Sequence, residues 1–174
     1  TVTVTGVNDA PTFDPVADVV VLEDSGETLV AVTNVAAGGG VDEAEQDIGL
    51  TVTMDVAGVL YDPLVSGSGS SRTLALQPMA DANGVVTVTV TLDDGGDAVS
   101  PSVSTFSGTF TVTVDAVNDA PSFDPVADVA VAEDSAALDI DVTGVTPGGG
   151  ADEAAQDVFL TAISSDPSTL ADPL

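Results

Sequence analysis

Oxygen-bearing side chains are the chemically capable groups of this 174-residue chain, which carries 29 acidic residues, one basic residue, no histidine and no cysteine. Without histidine or cysteine, the chain lacks the usual nucleophile–base pairs and the nitrogen and sulfur ligands that zinc prefers. Carboxylate and amide oxygens are instead the ligands that calcium takes. Because Arg72 is the single basic residue against a formal charge of −28, almost no carboxylate can have a counter-ion within the chain. The composition therefore predicts that cations from solution offset the charge.

The same charge excludes several function classes. Nucleic acids and anionic membrane surfaces are bound through lysine and arginine, so no nucleic-acid partner is expected. No apolar run is long enough to cross a bilayer, and we expect no direct membrane insertion. A pair of carboxylates could serve a glycosidase, but nothing singles out one pair. We therefore predict that the chain is not an enzyme and has no catalytic residue.

One stretch occurs twice and organises the chain. Residues 7–18 read VNDAPTFDPVAD and residues 117–128 read VNDAPSFDPVAD, 110 positions apart. Asn-Asp-Ala-Pro is typical of a turn or linker, because proline fixes its own backbone and biases the preceding residue away from helix. A repeat of this length has the size of a whole domain. We predict the last strand of a preceding repeat at 1–7, a complete repeat at 8–117 and the first half of the next at 118–174, with the natural protein continuing on both sides.

Alternation of valine and threonine predicts that these repeats are built from strands. We expect one strand at residues 1–5 and seven in the complete repeat, at 16–22, 28–35, 48–56, 59–65, 72–76, 85–92 and 105–115. Seven short strands without helical periodicity are typical of an all-β, antiparallel, immunoglobulin-like β-sandwich. The three glycines at 38–40 are followed by acidic residues and not by lysine, which favours a flexible loop over a phosphate cradle.

The junction motif resembles that of the cadherin-like and Ig-like tandem repeats of very large bacterial surface proteins, in which NDAP-F recurs at each boundary. Glu-Asp-Ser after the first strand, a Gly-rich Asp-Glu loop and Ala-Asp-Ala-Asn-Gly make the resemblance more specific. The pattern is also similar to true cadherins, whose junction reads Asp-x-Asn-Asp-Asn-x-Pro-x-Phe. The resemblance implies β-sandwich repeats in tandem with calcium bound at the junctions between them.

The resemblance also implies which positions supply calcium ligands. At the junction after the complete repeat these are Glu23, Asp81, Asp115, Asn118, Asp119, Asp152 and Glu153. Their equivalents at neighbouring junctions are Asn8, Asp9, Asp42, Glu43 and Glu133. The cadherin Asp-x-Asp spacing is not kept here, and Thr5 stands where the second copy has Asp115, so the number of ions per junction stays open. The alternative interpretation is that these residues are solvated turn residues, since Asn and Asp favour turns.

Together these observations predict a structural extender or adhesion module of a large extracellular repeat protein or surface fibre, made rigid by calcium. Its expected partners are neighbouring repeats of the same chain, other copies of itself in a fibre, or a cell surface. We expect it to be secreted or anchored at the cell surface. Two alternatives stay open. One is a carbohydrate- or ligand-binding β-sandwich module; sugar sites usually offer an exposed aromatic ring, and Tyr61 is the only tyrosine of the chain. The other is a homotypic filament-forming module.

Overall fold

The computed structural model describes residues 1–97 and 101–170, and the chain divides into two compact units, Thr1–Val117 and Asn118–Leu174. The first unit holds seven strands. They are β1 Val19–Leu22, β2 Thr28–Thr33, β3 Gly49–Met54, β4 Leu64–Ser66, β5 Ser71–Leu76, β6 Gly84–Asp93 and β7 Thr105–Asp115. The described residues contain no helix, so the predicted all-β class is confirmed. None of them therefore lies in a helix long and apolar enough to cross a membrane.

The seven strands of the first unit form two sheets. One sheet has the order β1-β7-β6-β3 and the other the order β2-β5-β4. β6 is the central strand of the larger sheet, because it pairs along its whole length with β7 and along its second half with β3. The long Val/Thr alternation of β6 suits this position, since β-branched side chains pack well on a pleated surface.

Inward-facing side chains of both sheets form one core. Every second residue is buried from Val86 to Leu92 of β6 and from Phe110 to Val114 of β7. On β2 and β5 the buried residues of the same core are Val30, Val32, Leu74 and Leu76. Burying such a side chain contributes about 1.5–3 kcal/mol relative to leaving it exposed. The strand alternation read from the sequence thus becomes a two-layer β structure with its apolar residues between the layers.

One pairing differs from the predicted antiparallel arrangement, because β1 runs parallel to β7. The segment before β1 first lies against the smaller sheet, where the Asp14 N–H donates to the Thr33 carbonyl at 2.9 Å. After Pro15 the chain passes to the larger sheet and continues as β1. Almost the whole unit separates β1 from β7, so no short hairpin forces them to be antiparallel. Alternation in a sequence gives a strand its faces but not its direction.

The strand predicted at residues 1–5 does not form. Val2 and Val4 are 93% and 89% exposed, and no described residue pairs with this segment. Residues 111–114 have the same Thr-Val-Thr-Val sequence and lie in β7, between β6 and β1. The same local sequence is therefore a strand only where neighbouring strands satisfy its backbone.

The second unit repeats turns of the first without its sheets. Within its described residues 118–170 only an isolated bridge, Ser122 to Thr146, is assigned as β structure. Residues 129–132, 138–143 and 159–164 correspond in sequence to β1, β2 and β3, and none of them is assigned as a strand. Phe123 is 53% exposed, whereas its equivalent Phe13 packs against the core of the first unit.

Candidate cation-binding sites

The Asn-Asp-Ala-Pro motif of the first unit closes on its acidic loop, and we call this arrangement the first clamp (Asn8, Asp9, Glu43 and Gln46). The backbone N–H of Asp9 donates to Oε1 of Glu43. Nε2 of Gln46 donates to Oδ1 of Asn8 at 2.6 Å, and the Gln46 N–H donates to the Glu43 carbonyl at 3.0 Å. The glutamate and glutamine of one loop turn therefore hold the asparagine and aspartate of the motif.

The second unit contains the same arrangement, the second clamp (Asn118, Asp119, Glu153 and Gln156). The Asp119 N–H donates to Oε1 of Glu153, and Nε2 of Gln156 donates to Oδ1 of Asn118 at 3.1 Å. The Gln156 N–H again donates to the Glu153 carbonyl, at 2.8 Å. The second clamp therefore forms although no sheet is assigned among the described residues of this unit.

Two backbone contacts position each clamp. In the first unit Thr12 and Ala36 exchange hydrogen bonds of 2.8 and 3.0 Å just after the motif. In the second unit Ser122 and Thr146 exchange hydrogen bonds of 3.0 and 2.9 Å at the equivalent place. These bridges bring the end of the motif beside the start of the glycine-rich loop.

Glycine at one loop position makes room for the glutamate. A Cβ atom at Gly38 would collide with Oε2 of Glu43 and would lie 2.8 Å from the Asp9 carbonyl oxygen. A Cβ atom at Gly148 would likewise collide with Oε2 of Glu153. Both glycines have a positive φ, 132° and 153°, which side-chain-bearing residues rarely adopt. Residues 38–40 are predicted from the sequence only as a flexible loop. Glycine at the equivalent position in both copies is the signal in the sequence for this additional requirement.

Each clamp leaves buried oxygen atoms without a partner. Glu43 and Glu153 are only 3% and 1% exposed, and Oε2 of each accepts no hydrogen bond. Oε1 of Gln46 is also buried and unpartnered. Arg72 lines the same shallow groove as Glu43, and its guanidinium donates to the Gly69 and Ser71 carbonyls. Carboxylate and amide oxygens with unused lone pairs are a donor set that fits a hard cation such as calcium.

Asp94 extends the first clamp, and the sequence analysis did not select it as a site residue. Nδ2 of Asn8 donates to the Val103 carbonyl at 2.7 Å and lies 3.3 Å from both carboxylate oxygens of Asp94. Asp94 is 2% exposed, and its Oδ1 also accepts the Gly96 N–H at 2.9 Å. The Gly95 and Gly96 N–H groups donate to the carboxylates of Asp93 and Asp94, and these hydrogen bonds shape the loop that presents Asp94 to Asn8.

Glu23, at the opposite end of the first unit, acts as a buried cap. Its Oε1 accepts the Val117 N–H at 2.6 Å and its Oε2 accepts Nδ2 of Asn83 at 3.3 Å. The Glu23 N–H donates to the Asp115 carbonyl at 2.9 Å. With Glu23 only 2% exposed, this glutamate ties the end of β1 to the end of β7.

Asp24 and Asp81 form an acidic pair at this same end. Carboxylate oxygens of the two residues lie within 4.8 Å of each other, and Oδ1 of Asp24 accepts the Asp81 N–H at 3.1 Å. Both residues have positive φ angles, 58° and 56°. The sequence analysis selected Asp81 but not its neighbour Asp24, although Glu-Asp-Ser recurs in both copies.

Ten of the twelve predicted ligand residues fall into three groups. Glu23, Asp81 and Asp115 lie at the end of the first unit where β1 and β7 finish. Asn8, Asp9 and Glu43 belong to the first clamp, with the Asp42 carboxylate next to Gly6 and Gly40. Asn118, Asp119 and Glu153 belong to the second clamp, within the second unit. Glu133 is exposed beside a turn in which Ser135 N–H donates to the Ala132 carbonyl, and Asp152 is exposed next to Glu153.

No family model matches this chain, and no curated protein matches it. Among solved structures, the chain is similar to the crystal structure of the titin domains Z1Z2 in complex with telethonin. The TM-score is 0.44 and the sequence identity 21%, over 70% of this chain and 55% of the titin chain. The match therefore spans about half the length of that chain.

Proposed function

We propose that the chain is a spacer from an array of immunoglobulin-like β-sandwich repeats in a secreted or surface-anchored protein, stiffened by calcium. The observation that carries the calcium part is the unpartnered, buried carboxylate oxygen that recurs in both clamps, on Glu43 and Glu153. A buried charge is costly unless an opposite charge or hydrogen bonds compensate it. The chain has a single arginine to serve 29 acidic residues, so a cation from solution is the available compensation.

Calcium would act on these residues by joining segments that are distant in sequence. In the first clamp, Oε2 of Glu43 and Oε1 of Gln46 come from the acidic loop and Asp9 comes from the repeated motif. At the other end of the unit, Asp24 and Asp81 offer a second acidic pair between β1 and the turn before β6. A cation shared between such segments lowers the repulsion between their carboxylates. The loops at each end of the module would then be held in one arrangement, as an extender requires.

The spacer role is supported by the repeat itself. Both copies of the motif build the same clamp with equivalent contacts, and this fits a module whose ends are used in every copy. Neighbouring repeats of the same chain are the proposed partners, with other copies of the chain or a cell surface as further ones. Extracellular calcium sites typically bind in the range of about 0.1–1 mM, so such an array would be loose inside a cell and stiff outside it.

The test is a comparison of melting temperatures in calcium, in chelator and in sodium chloride of matched ionic strength. If calcium binds only to the folded clamp, it raises the free energy of unfolding by about 2.7 kcal/mol when the free calcium concentration is a hundredfold above Kd. Glu43→Gln should abolish most of the calcium-dependent increase for the first unit. The matched control is Glu45→Gln, which removes the same charge from an exposed position of the same loop. If Glu45→Gln lowers the increase as much, or if sodium chloride reproduces it, carboxylates are merely screened and the calcium proposal fails.

A further inference from the structure

The first half of β7 has one unpaired side. β1 pairs only with Val112, Thr113, Val114 and Asp115, whereas β6 pairs with β7 from Thr105 onwards. Within the described residues, the stretch 105–110 has no strand on its other side. The chain segment that precedes β1 is bonded elsewhere, with Thr12 bridged to Ala36 and the Asp14 N–H donating to Thr33 of β2 in the smaller sheet.

Hydrogen bonds at the end of this stretch show which backbone groups it leaves open. The Thr111 N–H points away from β6 and donates to Oδ1 of Asp18 at 2.7 Å. In a strand, alternate residues direct their N–H and C=O groups to the same side. The backbone groups of Thr105, Ser107 and Thr109 therefore also point away from β6. Open backbone groups of this kind are a template for an added strand.

An apolar cavity of about 130 Å³ lies beside this open edge. It is lined by Phe13, Pro15, Val16, Phe106, Gly108, Thr109 and Phe110. Phe13 and Phe106 make an edge-to-face contact with ring centroids 5.2 Å apart, and Phe106 is 38% exposed. A Cβ atom at Gly108 would lie 2.7 Å from the Phe13 ring, so glycine at this position lets Phe13 pack against β7 at the wall of the cavity. Alternate side chains of a strand added to β7 would point into this cavity.

We infer that the open edge of β7 binds an extended segment of another protein by strand addition. The segment would exchange backbone hydrogen bonds with Ser107 and Thr109 and place an aliphatic side chain against Phe13 and Phe106. Its flanks should carry lysine or arginine, because Asp18 lies at one end of the open stretch and Asp93 is paired with Thr105 at the other. Charge complementarity at the rim raises the association rate and rejects acidic partners. A second copy of this chain, with its formal charge of −28, is therefore disfavoured as the occupant.

The test uses the full chain in calcium and a capped peptide in which valine and threonine alternate, flanked by lysines. Binding should slow hydrogen exchange at the Ser107 and Thr109 amides. Thr109→Pro should weaken the affinity for the peptide about tenfold or more, because it removes a backbone N–H that the added strand would use. β6 does not use this N–H, and strands tolerate proline at such edge positions, so the fold should be kept. Thr89→Ala, at the residue of β6 that pairs with Thr109, should leave the affinity unchanged. Phe106→Ala provides a second variant, and it should weaken binding by reducing the apolar contact.

Several outcomes would overturn the inference. The peptide could protect amides of β3 or β4 instead, or none at all. A scrambled peptide of equal charge could bind as tightly, which would reduce the interaction to charge alone. Equal binding of a glutamate-flanked peptide would refute the chemistry assigned to the partner. Concentration-dependent dimers of the chain that protect Ser107 and Thr109 would make a second copy the occupant.

Discussion

At the scale of single residues, the clamps show how a buried acid is accommodated in a chain that has almost no base. Oε1 of Glu43 accepts the Asp9 N–H, and Oε2 is buried next to Gly38 without a hydrogen-bond partner. Glu23 is buried as well, but both of its oxygens accept hydrogen bonds. A hydrogen bond to the charged form stabilises a carboxylate, so Glu23 is satisfied by the protein alone. Glu43 is satisfied on one side only, which separates a structural cap from a candidate ligand.

Gly38→Ala should lower the free energy of unfolding by about 1–3 kcal/mol, because a Cβ there collides with Glu43 at a positive φ. The adjacent Gly39→Ala is the matched control. A Cβ at Gly39 would approach nothing closer than Asp9 Oδ2 at 3.5 Å, and this residue has no positive φ. Urea unfolding of both variants measures the difference. Equal effects at the two positions would show that loop flexibility, and not the room left for Glu43, is what matters.

Asp18 should stabilise the fold in a pH-dependent way. The backbone N–H of Thr111 and then its hydroxyl hydrogen-bond to the Asp18 carboxylate and hold its pKa below the ordinary aspartate value of 3.8. A pKa lowered by folding contributes stability above the unfolded value, and that stability is lost as the pH falls through the folded value. The stability gap between the wild type and Asp18→Asn should therefore narrow when the pH drops below about 4. Asp62→Asn, an exposed charge-matched variant, should show no such narrowing, and a constant gap for Asp18→Asn would contradict the assignment.

At the scale of elements, the sheets decide which residues of each alternating strand are buried. On β5 the residues Leu74 and Leu76 face the core, while Ala75 between them faces outward beside Leu29 of β2. A shift of one residue in the register would reverse these positions. The register between β2 and β5 is therefore set by the burial of Leu74 and Leu76 against the other sheet.

Leu74→Ala should destabilise the first unit by about 2–5 kcal/mol, because it deletes a fully buried side chain and leaves a cavity. Leu29→Ala is the same substitution on the neighbouring strand, at a position that is 65% exposed. Its effect should stay within about 0.5 kcal/mol, as is usual for surface positions. Denaturant midpoints at constant calcium measure both. A large loss for Leu29→Ala would mean that the outer face of the smaller sheet is covered in solution.

At the scale of the whole molecule, the two units share their clamps but differ in how much apolar surface they bury. Among its described residues, the first unit encloses 14 buried hydrophobic side chains. The second leaves Phe159 and Ile163 more than four-fifths exposed. Apolar burial is the main favourable term of folding, so the two units should differ strongly in local stability.

Hydrogen exchange should show this difference directly. The amides of β6 should exchange slowest, because β6 is flanked by β3 and β7 and opens only when the unit unfolds. The amides of residues 129–132 and 138–143, the counterparts of β1 and β2, should exchange rapidly. Asp119 should be protected relative to them, since its N–H donates to the Glu153 carboxylate. Protection of residues 129–132 equal to that of β1 would contradict the difference between the units.

The amino-acid sequence alone determined the class of this protein and the approximate place of its strands. The intervals predicted at 28–35, 48–56, 85–92 and 105–115 overlap β2, β3, β6 and β7, because period-two burial leaves its trace in the order of residues. The resemblance to cadherin-type junctions also pointed to Glu23, Asp81 and Glu43, which the structure shows to be two buried carboxylates and one member of an acidic pair. Gly38, Asp24 and Asp94 are not among the predicted site residues, because nothing in the local sequence marks which glycine or aspartate will contact a residue far along the chain.

Only the tertiary structure decided which of two equal sequences becomes a strand and which carboxylates are buried. Thr-Val-Thr-Val is exposed at residues 1–4, whereas at 111–114 all four residues pair with β6 and the last three also pair with β1. Glu23 is buried and accepts the Val117 N–H, whereas its equivalent Glu133 is exposed. A strand's backbone hydrogen bonds and a carboxylate's burial both depend on groups far away along the chain. Those groups are brought near only when the sheets close around a core.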